Sequence, residues 1–297
     1  MTLKVLQFGA TGQLSREMLK RAVGDVEILA LSRQQADLTD LAAVERAIGE
    51  AEAVDLVLNA AAYTAVDKAE SEPELAWLVN GRAPGVMARA CAARGLPLVQ
   101  ISTDMVFSGA KAGPYVESDP VGPLHVYGAA KLAGEDAALA AHDRVLVLRV
   151  SWLFSAFGQN FLQLMLRLAD TLPVLKVVED QHARPTASGD VAAFILSHAA
   201  RLAAAPAGAP EWGITHFANA GAANRVEMAR AIFELSGRPV PPIDAVPTSA
   251  LNLPARRALN AELDCTRLAK VFGLSPRHWR EPLAEAVAAL PGVRTAA

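Results

Sequence analysis

Short apolar runs alternate with longer segments of helical spacing through the first half of this chain. The runs are rich in Val, Ile and Leu and have the length of buried strands, whereas segments such as LSREMLKRAV repeat apolar residues every three or four positions. This alternation predicts βαβ units and a parallel sheet covered on both faces. The expected fold class is therefore α/β, a doubly wound, Rossmann-like parallel sheet. The predicted strands are LKVLQF (3 to 8), VEILAL (26 to 31), DLVLN (55 to 59), PLVQIS (97 to 102), VLVLRV (145 to 150) and LKVVE (175 to 179).

Beyond Val150 the alternation weakens, and loops that contain proline join shorter helical pieces. This change predicts a smaller C-terminal lobe that lies over the carboxyl ends of the strands, where folds of this class bind ligands. We predict a dinucleotide-binding core at 1–150, extended by roughly 171–205, and a substrate-binding lobe at 151–170 and 206–297.

The composition suits a globular protein with a large core, because 52% of the 297 residues are hydrophobic and 20% are charged. Lysine and arginine total 28 against 31 acidic residues, without a basic stripe along the chain. Binding to a phosphate backbone needs such a stripe, so nucleic acid is not an expected partner.

The cysteines and the apolar segments do not indicate a secreted or membrane protein. Cys91 and Cys265 lack metal-ligand or CxxC spacing, which is typical of idle thiols in a reducing compartment. The chain opens on an alternating apolar strand, and no stretch approaches the roughly 18 consecutive apolar residues that a membrane span needs. We therefore expect a cytoplasmic protein of the size of an enzyme, with no membrane partner.

A glycine turn directly follows the first predicted strand and precedes a helical pattern. In GATGQLS, Gly9 and Gly12 let the backbone turn tightly and approach a pyrophosphate, whose charge the helix N-terminus stabilises. Ser15 stands where the full pattern has a third glycine for close helix packing. The sequence therefore predicts a dinucleotide site here, with an ordinary tight turn as the alternative.

The residues after the second and third strands bear on which dinucleotide binds. Arg33 stands where an NAD-selective enzyme commonly has an acid for the ribose diol, and its guanidinium suits a 2′-phosphate. NADPH is therefore the favoured cofactor, with NADH and a merely solvated Arg33 left open. Asp37 and Leu38 are placed against the adenine, and the small residues Ala60 and Ala62 leave room for the cofactor.

Tyr127 and Lys131 form the candidate catalytic pair. Residues at i and i+4 share a helix face, so the ammonium can lie beside the phenol. A free phenol has a pKa of about 10, and a neighbouring cation favours the phenolate and moves that pKa toward neutral pH. The spacing predicts a proton donor for carbonyl reduction, with a chance pairing as the alternative.

Taken in order, the glycine turn, NAAA (59 to 62), STD (102 to 104) and the Tyr127/Lys131 pair resemble the extended short-chain dehydrogenase/reductase family. More narrowly, the chain is similar to the members that move hydride from a reduced dinucleotide to the C4 ketone of a dTDP 6-deoxyhexose. The segments that carry this narrower resemblance are VLNAAAYTAVDKAESEPELAWLVN (57 to 80), STDMVFSG (102 to 109), PLHVYGAAKLAGE (123 to 135), RVSWLF (149 to 154), NFLQLMLRLA (160 to 169), DQHARPT (180 to 186), VPTSAL (246 to 251) and RRALNAELDCTRL (256 to 268).

The resemblance implies a role for each candidate residue. It implies that Tyr127 donates a proton to the nascent alkoxide, that Lys131 lowers the pKa of Tyr127 and holds the nicotinamide ribose, and that Thr103 fixes the carbonyl oxygen. The implied contacts with a dTDP-sugar substrate are Val66, Thr103, Asp104, Trp152 and Arg257. For Trp152 a core position, and for Arg257 a surface position, stays open. The expected cofactor contacts are Gly9, Thr11, Gly12, Gln13, Leu14, Ser32, Arg33, Asp37, Leu38, Ala60, Ala62, Tyr63, Thr64, Tyr127 and Lys131.

The chain departs from the family's usual pattern near the sugar. Met105 replaces a tyrosine, His125 replaces an asparagine, and Ala130 replaces a small hydroxyl residue. These departures bear on the exact sugar more than on ketone reduction. Some family members use a magnesium ion at a dimer contact; no acidic cluster here matches it, so no metal ligand is assigned, and magnesium and a homodimer stay open.

Three functions are compatible with these patterns. The first is reduction of a 4-keto-6-deoxy sugar nucleotide that leads to a rhamnose-type product. The second is a related reductase that makes another stereoisomer, because the face of hydride attack depends on the shape of the pocket. The third is a non-catalytic, dinucleotide-binding regulatory subunit, and the presence of Thr103, Tyr127 and Lys131 argues against it.

Overall fold

The computed structural model describes residues 2–291 and has the expected α/β architecture. Its strands are β1 (Leu3–Phe8), β2 (Val26–Leu31), β3 (Leu56–Asn59), β4 (Leu98–Thr103), β5 (Val145–Val150), β6 (Leu153–Phe154), β7 (Leu175–Val178), β8 (His182–Ala183), β9 (Thr186–Ala187), β10 (Gly213–Phe217), β11 (Ala223–Asn224) and β12 (Ile243–Val246). Its α-helices are α1 (Gln13–Arg21), α2 (Leu41–Glu50), α3 (Val66–Ala69), α4 (Pro73–Ala76), α5 (Ala83–Arg94), α6 (Val126–Ala141), α7 (Phe161–Ala169), α8 (Ser188–Ala204), α9 (Arg225–Ser236), α10 (Thr266–Phe272) and α11 (Arg280–Ala288). A π-helical segment occupies Trp77–Arg82, and 3₁₀ turns occupy Asp104–Val106 and Thr248–Leu251.

The central sheet has six strands in the order β2-β1-β3-β4-β5-β10, and every neighbouring pair is parallel. Side chains alternate between its two faces. Val5 packs with α1 and α8 on one face, whereas Leu6 and Phe8 pack with α2 and α5 on the other. Because both faces are covered, the strands are mostly apolar, and the prediction of a doubly wound sheet is confirmed.

Two strands differ from the sequence-based prediction. The run at 175–179 forms β7, but β7 pairs with β12 outside the central sheet. The sixth central strand is instead β10, which pairs with β5. The predicted division assigned β7 to the extension of the core at 171–205 and β10 to the lobe at 206–297, which is the reverse of the observed arrangement. A short apolar run fits any sheet, and its partner depends on how distant segments pack.

The C-terminal lobe has its own hydrophobic core. Helices α7, α9 and α11 pack there around β7, with Leu162, Phe233 and Leu283 fully buried. Two further pairs of short strands, β8 with β11 and β6 with β9, join the segments around this lobe. Within residues 2–291, no helix is long and apolar enough to cross a membrane.

The strand order brings the candidate residues to one edge of the sheet. The chain moves outward from β1 to β2, then crosses to β3 on the other side of β1 and continues to β4 and β5. Phe8 lies opposite Asn59, and Thr103 lies opposite Val150, so these strands end at the same carboxyl edge. Folds of this type bind ligands at such a switch in strand order.

Candidate active site

The turn after β1 can accommodate a pyrophosphate. Gly9 has a φ of +95°, and a Cβ there would lie 3.3 Å from the backbone nitrogen of Ala61. Gly12 precedes α1 without a side-chain cap, and the first turn of α1 contains no acidic residue. Among residues 2–291, no side chain caps the first N–H groups of α1, and the helix dipole favours an anion there.

Ser15 explains how the turn functions without a third glycine. Its hydroxyl would lie only 3.1 Å from a Cβ at Gly9, so Ser15 packs against Gly9 and the absence of a side chain at position 9 makes room for it. The hydroxyl is buried and has no hydrogen-bond partner within residues 2–291. The side chains of Leu14 and Leu38 pack into the two cores beside the sheet, so a cofactor contact at either position must come from the backbone.

The candidate residues for a 2′-phosphate lie after β2. Arg33 is exposed, and its Nε lies 3.0 Å from Oδ2 of Asp37. Asp37 also accepts a hydrogen bond from the backbone of Thr39, and this bond together with Arg33 holds its pKa below the usual range. Ser32 is held by Gln35 through its backbone and its hydroxyl. Arg33 can therefore reach a phosphate only in competition with Asp37.

The π-helical segment fixes the chain that follows β3. Asn80 in this segment accepts from the backbone N–H of Tyr63 at 3.0 Å and donates to its carbonyl at 2.9 Å. The Tyr63 hydroxyl in turn donates to Glu72 at 2.8 Å. Because π-helical turns are rare and frequently lie at functional sites, this one is a second sign that the segment from Ala60 to Thr64 lines a site.

Helix α6 carries Tyr127 and Lys131, and it packs very closely on its neighbours. A Cβ at Gly128 would lie 2.3 Å from the carbonyl oxygen of Met105, and a Cβ at Gly134 would lie 2.0 Å from that of Asn80. The two glycines therefore let α6 rest directly on the backbone after β4 and on the π-helical segment. This contact fixes the height of Tyr127 and Lys131 above the sheet edge.

The electrostatic environment of the pair differs from the sequence-based interpretation. Lys131 is buried, and its ammonium donates to the carbonyl of Ile101 at 2.6 Å; burial lowers the pKa of Lys131 to about 8. Burial and the Asp104 carboxylate raise the pKa of Tyr127, while the Thr103 hydroxyl lowers it. Desolvation and a nearby negative charge thus outweigh any cation beside the phenol. In the protein alone, Tyr127 is protonated at neutral pH, as a proton donor must be.

Thr103, Asp104 and Ser151 form a buried hydrogen-bonded chain at the ends of β4 and β5. The Thr103 hydroxyl donates to Asp104 at 2.9 Å, and the Ser151 hydroxyl donates to the other carboxylate oxygen at 2.7 Å. Burial raises the pKa of Asp104 to about 6. Thr103 also accepts from the backbone N–H of Met105 at 3.2 Å, which fixes its oxygen beside the Tyr127 phenol.

A pocket adjoins this chain and extends toward the C-terminal lobe. It contains three of the predicted substrate contacts, Asp104, Trp152 and Arg257, together with Met105 and His125. The fourth, Val66, packs with Tyr127 in a separate apolar cluster, and the fifth, Thr103, bonds to Asp104. The structure thus places three of the five predicted contacts on the pocket wall, a fourth beside Asp104 and the fifth beside Tyr127.

Arg225 and Gln181 also line the pocket, and the sequence had not singled them out. The Arg225 guanidinium lies 3.4 Å above the ring of Trp152 and 4.8 Å from that of Phe161. Burial lowers the pKa of Arg225 to about 9, so it stays charged at neutral pH. Only the pattern Asn224 to Glu227, a capping box, could have marked this position as a helix start.

Trp152 has an unusual backbone conformation. Its φ is +41°, which is rare for a bulky residue and costs conformational energy. The conformation presents the indole to the pocket beneath Arg225. A strained aromatic residue at a pocket favours the substrate-contact interpretation of Trp152 over a core position.

Within the part of the chain that the structure describes, no three His, Cys, Asp or Glu side chains are grouped to hold a metal ion.

Arg257 is held by two contacts on the protein. It pairs with Asp67 at 2.7 Å and donates to the carbonyl of Ala255 at 3.1 Å. It is therefore held at the pocket wall rather than in open solvent.

The parallel sheet, the glycine turn and the buried Thr103, Tyr127 and Lys131 together define an oxidoreductase of the short-chain dehydrogenase/reductase class. The family model of the RmlD substrate binding domain matches residues 3–291, and the chain belongs to this family. The predicted resemblance is therefore confirmed.

Three relatives illustrate the family. The dTDP-4-dehydrorhamnose reductase of Streptomyces griseus is 43% identical over 291 residues, which cover 96% of this chain and 93% of that protein. A crystal structure of a dTDP-4-dehydrorhamnose reductase from Clostridium acetobutylicum matches with a TM-score of 0.89 and 34% identity, covering 96% of this chain and 99% of that one. The Bacillus anthracis enzyme in complex with NADP matches with a TM-score of 0.89 and 29% identity, covering 97% and 99%.

Proposed function

We propose that this protein uses NADPH to reduce the C4 ketone of dTDP-4-dehydro-6-deoxy-L-mannose (dTDP-4-dehydrorhamnose) to dTDP-L-rhamnose in the cytoplasm. The observation that carries the proposal is a proton donor, Tyr127, beside a pocket lined by two arginines, Arg225 and Arg257. A substrate that carries both a ketone and a diphosphate on one sugar ring matches this arrangement. The Streptomyces griseus and Clostridium acetobutylicum relatives bear the name of this reaction.

The residues at the sheet edge fit a dinucleotide. Gly9 and Gly12 leave space for a pyrophosphate at the N-terminus of α1, and Ala60 and Ala62 leave space beyond β3. Arg33 supports the choice of NADPH. Because Asp37 neutralises Arg33 when no 2′-phosphate is present, NADH stays usable. When bound, the nicotinamide supplies the hydride.

The protein's own residues would then handle the proton and the orientation of the ketone. Tyr127 holds a proton at its phenolic oxygen and passes it to the oxygen that becomes the product hydroxyl. Thr103 has its hydroxyl hydrogen committed to Asp104, and rotation of that hydroxyl lets it donate to the carbonyl oxygen instead. Lys131 is anchored on the Ile101 carbonyl, and we propose that its ammonium holds the nicotinamide ribose.

The charges of the pocket suit a sugar nucleotide. Arg225 and Arg257 offer donors to diphosphate oxygens, and such charge-assisted bonds are about twice as strong as neutral ones. Trp152 offers to a sugar ring the part of its indole that Arg225 leaves uncovered. Met105, where the family's usual tyrosine is missing, can reject little beyond bulk, so we propose that the nucleotide determines recognition more strongly than the sugar hydroxyls.

The test is an assay of the purified protein with NADPH and a panel of 4-keto-6-deoxy sugar nucleotides. Loss of NADPH absorbance and NMR of the product give rate and stereochemistry. We expect dTDP-L-rhamnose from dTDP-4-dehydrorhamnose. Faster formation of another stereoisomer would assign the protein to a related reductase, and absence of any turnover would support the regulatory alternative.

A second arm of the assay compares the free keto sugar with its nucleotide. We expect no detectable reduction without the dTDP group, and only small effects of changes at C2 or C3 of the sugar. Equal kcat/KM for the two forms would contradict a nucleotide substrate and redirect the search to another ketone.

A further inference from the structure

We propose that His125 is a positioning residue that caps the catalytic helix α6 through Nδ1 and donates a hydrogen bond from Nε2 to an oxygen of the bound sugar nucleotide. The first part concerns the folded protein alone. The second part rests on the proposed function, because it names the ligand of that pocket.

The cap is visible in the geometry at the start of α6. His125 has extended backbone angles, and its Nδ1 accepts the backbone N–H of Gly128 at 3.0 Å. The N–H of Val126 donates to Glu70 at 2.8 Å. These two acceptors satisfy donors of the first turn that no intrahelical carbonyl can reach. Tyr127 lies in this turn and Lys131 in the next, so their position depends on it.

The cap also determines where the imidazole carries its proton. A neutral histidine has one donor and one acceptor nitrogen, and Nδ1 is the acceptor here. The proton therefore lies on Nε2. Within residues 2–291, Nε2 has no hydrogen-bond partner and is not sealed from solvent, and His125 lines the same pocket as Arg225 and Arg257. The side chains of His125, Arg225 and Arg257 thus all offer N–H donors to a ligand rich in oxygen.

The surrounding charges keep the imidazole neutral. Burial lowers the pKa of His125 and Arg257 lowers it further, whereas Glu70 and Asp67 raise it. Asp67 is itself paired with Arg257 at 2.7 Å, and the ring of Tyr127 stacks on the imidazole at 6.0 Å. Arg225 and Asp104, across the pocket, are the other charged groups on its wall. Protonation of His125 would place a hydrogen on Nδ1, facing the N–H of Gly128, and would remove the cap.

The sign of the pH effect follows from the lowered pKa. Between that pKa and about 6.5, the unfolded chain binds more protons than the folded one, so stability falls as the pH falls through this window. His125→Asn keeps an acceptor of a preferred capping type but does not titrate. His125→Ala removes acceptor and donor together. His142→Asn is the matched control, since His142 ends the same helix and bonds to Leu96 at 2.9 Å.

The first experiment needs no substrate. ¹⁵N NMR of the histidine side chains should show the proton of His125 on Nε2, and lowering the pH from about 7.5 to about 5.5 should lower the Tm of the wild type and of His142→Asn more than that of His125→Asn. A proton on Nδ1, or the same pH dependence of Tm in wild type and His125→Asn, would overturn the cap. Because neither readout uses turnover, this result is independent of the proposed function.

The second experiment separates the cap from the donor by kinetics on dTDP-4-dehydrorhamnose. His125→Ala loses both the cap and the ligand contact, so kcat/KM should fall by about tenfold or more, because one lost hydrogen bond alone is worth about tenfold. His125→Asn should restore kcat, because it restores the cap, but should leave KM raised, because the shorter amide does not reach as far as Nε2. A wild-type KM in both variants would overturn the contact with the sugar nucleotide. Absence of turnover in the wild type as well would refute the proposed function and, with it, the contact with the sugar nucleotide. The cap would then be decided by the first experiment alone.

Discussion

Glu135 and Arg149 form an ion pair that is almost completely enclosed, one helical turn beyond Lys131. Their side chains are 1% and 2% exposed, and Nη2 of Arg149 lies 2.6 Å from the Glu135 carboxylate. The Ser102 hydroxyl also donates to Glu135. The pair thus ties α6, the helix that carries Tyr127 and Lys131, to β4 and β5. The Glu135 carboxylate raises the pKa of Lys131, whereas burial lowers it more.

Removing one partner of this ion pair should strongly destabilise the fold. Glu135→Leu leaves the Arg149 guanidinium buried and unpaired, so we expect a loss of about 3–5 kcal/mol in the free energy of unfolding. Urea unfolding measures this loss. The double variant Glu135→Leu/Arg149→Met should recover most of it, because no charge then stays buried. If the double variant loses as much free energy of unfolding as Glu135→Leu and Arg149→Met together, packing, and not charge, dominates.

Loss of the Tyr127 hydroxyl should affect the chemical step alone. Tyr127→Phe removes the proton donor but keeps the buried ring, so kcat should fall by roughly 10²-fold or more. The Kd for NADPH, measured by fluorescence titration, should stay almost unchanged. A wild-type kcat in this variant would exclude Tyr127 from the reaction.

Lys131 should affect cofactor binding and the pH dependence of stability in separate ways. Its folded pKa of about 8 lies below the ordinary value of 10.5, so between these values the unfolded chain binds more protons and stability rises with pH. Lys131→Met should remove this contribution in urea unfolding at several pH values. The same variant should also bind NADPH more weakly. A Kd equal to that of the wild type would contradict a ribose contact.

Arg33 and Asp37 should have opposite effects on the cofactor preference. Arg33→Ala removes the partner of the 2′-phosphate and should lower the NADPH preference in kcat/KM by about tenfold, the scale of a charge-assisted hydrogen bond. Asp37→Asn frees Arg33 from its competing ion pair and should raise that preference. If Arg33→Ala weakens NADPH and NADH equally, Arg33 has only a structural role.

The sequence alone determined the features that depend on local spacing. The glycine turn at Gly9 and Gly12 follows a strand and precedes a helix, and each of these signals is contained in a few neighbouring residues. Tyr127 and Lys131 lie on one face of α6, because residues four positions apart share a helix face. The five central strands before residue 151 were predicted to within one residue of their observed bounds, because strands covered on both faces are mostly apolar.

Only the tertiary structure decided which distant segments meet. The pairing of β7 with β12 and of β10 with β5 depends on how the lobe packs, which no local pattern encodes. Arg225 reaches the pocket from the C-terminal lobe, and His125 becomes a cap only because its ring turns back onto Gly128. The pKa values of Tyr127 and Lys131 are set by burial, and burial is a property of the whole fold. Residue spacing therefore predicted the candidate pair Tyr127 and Lys131, whereas packing fixed their charge and their neighbours.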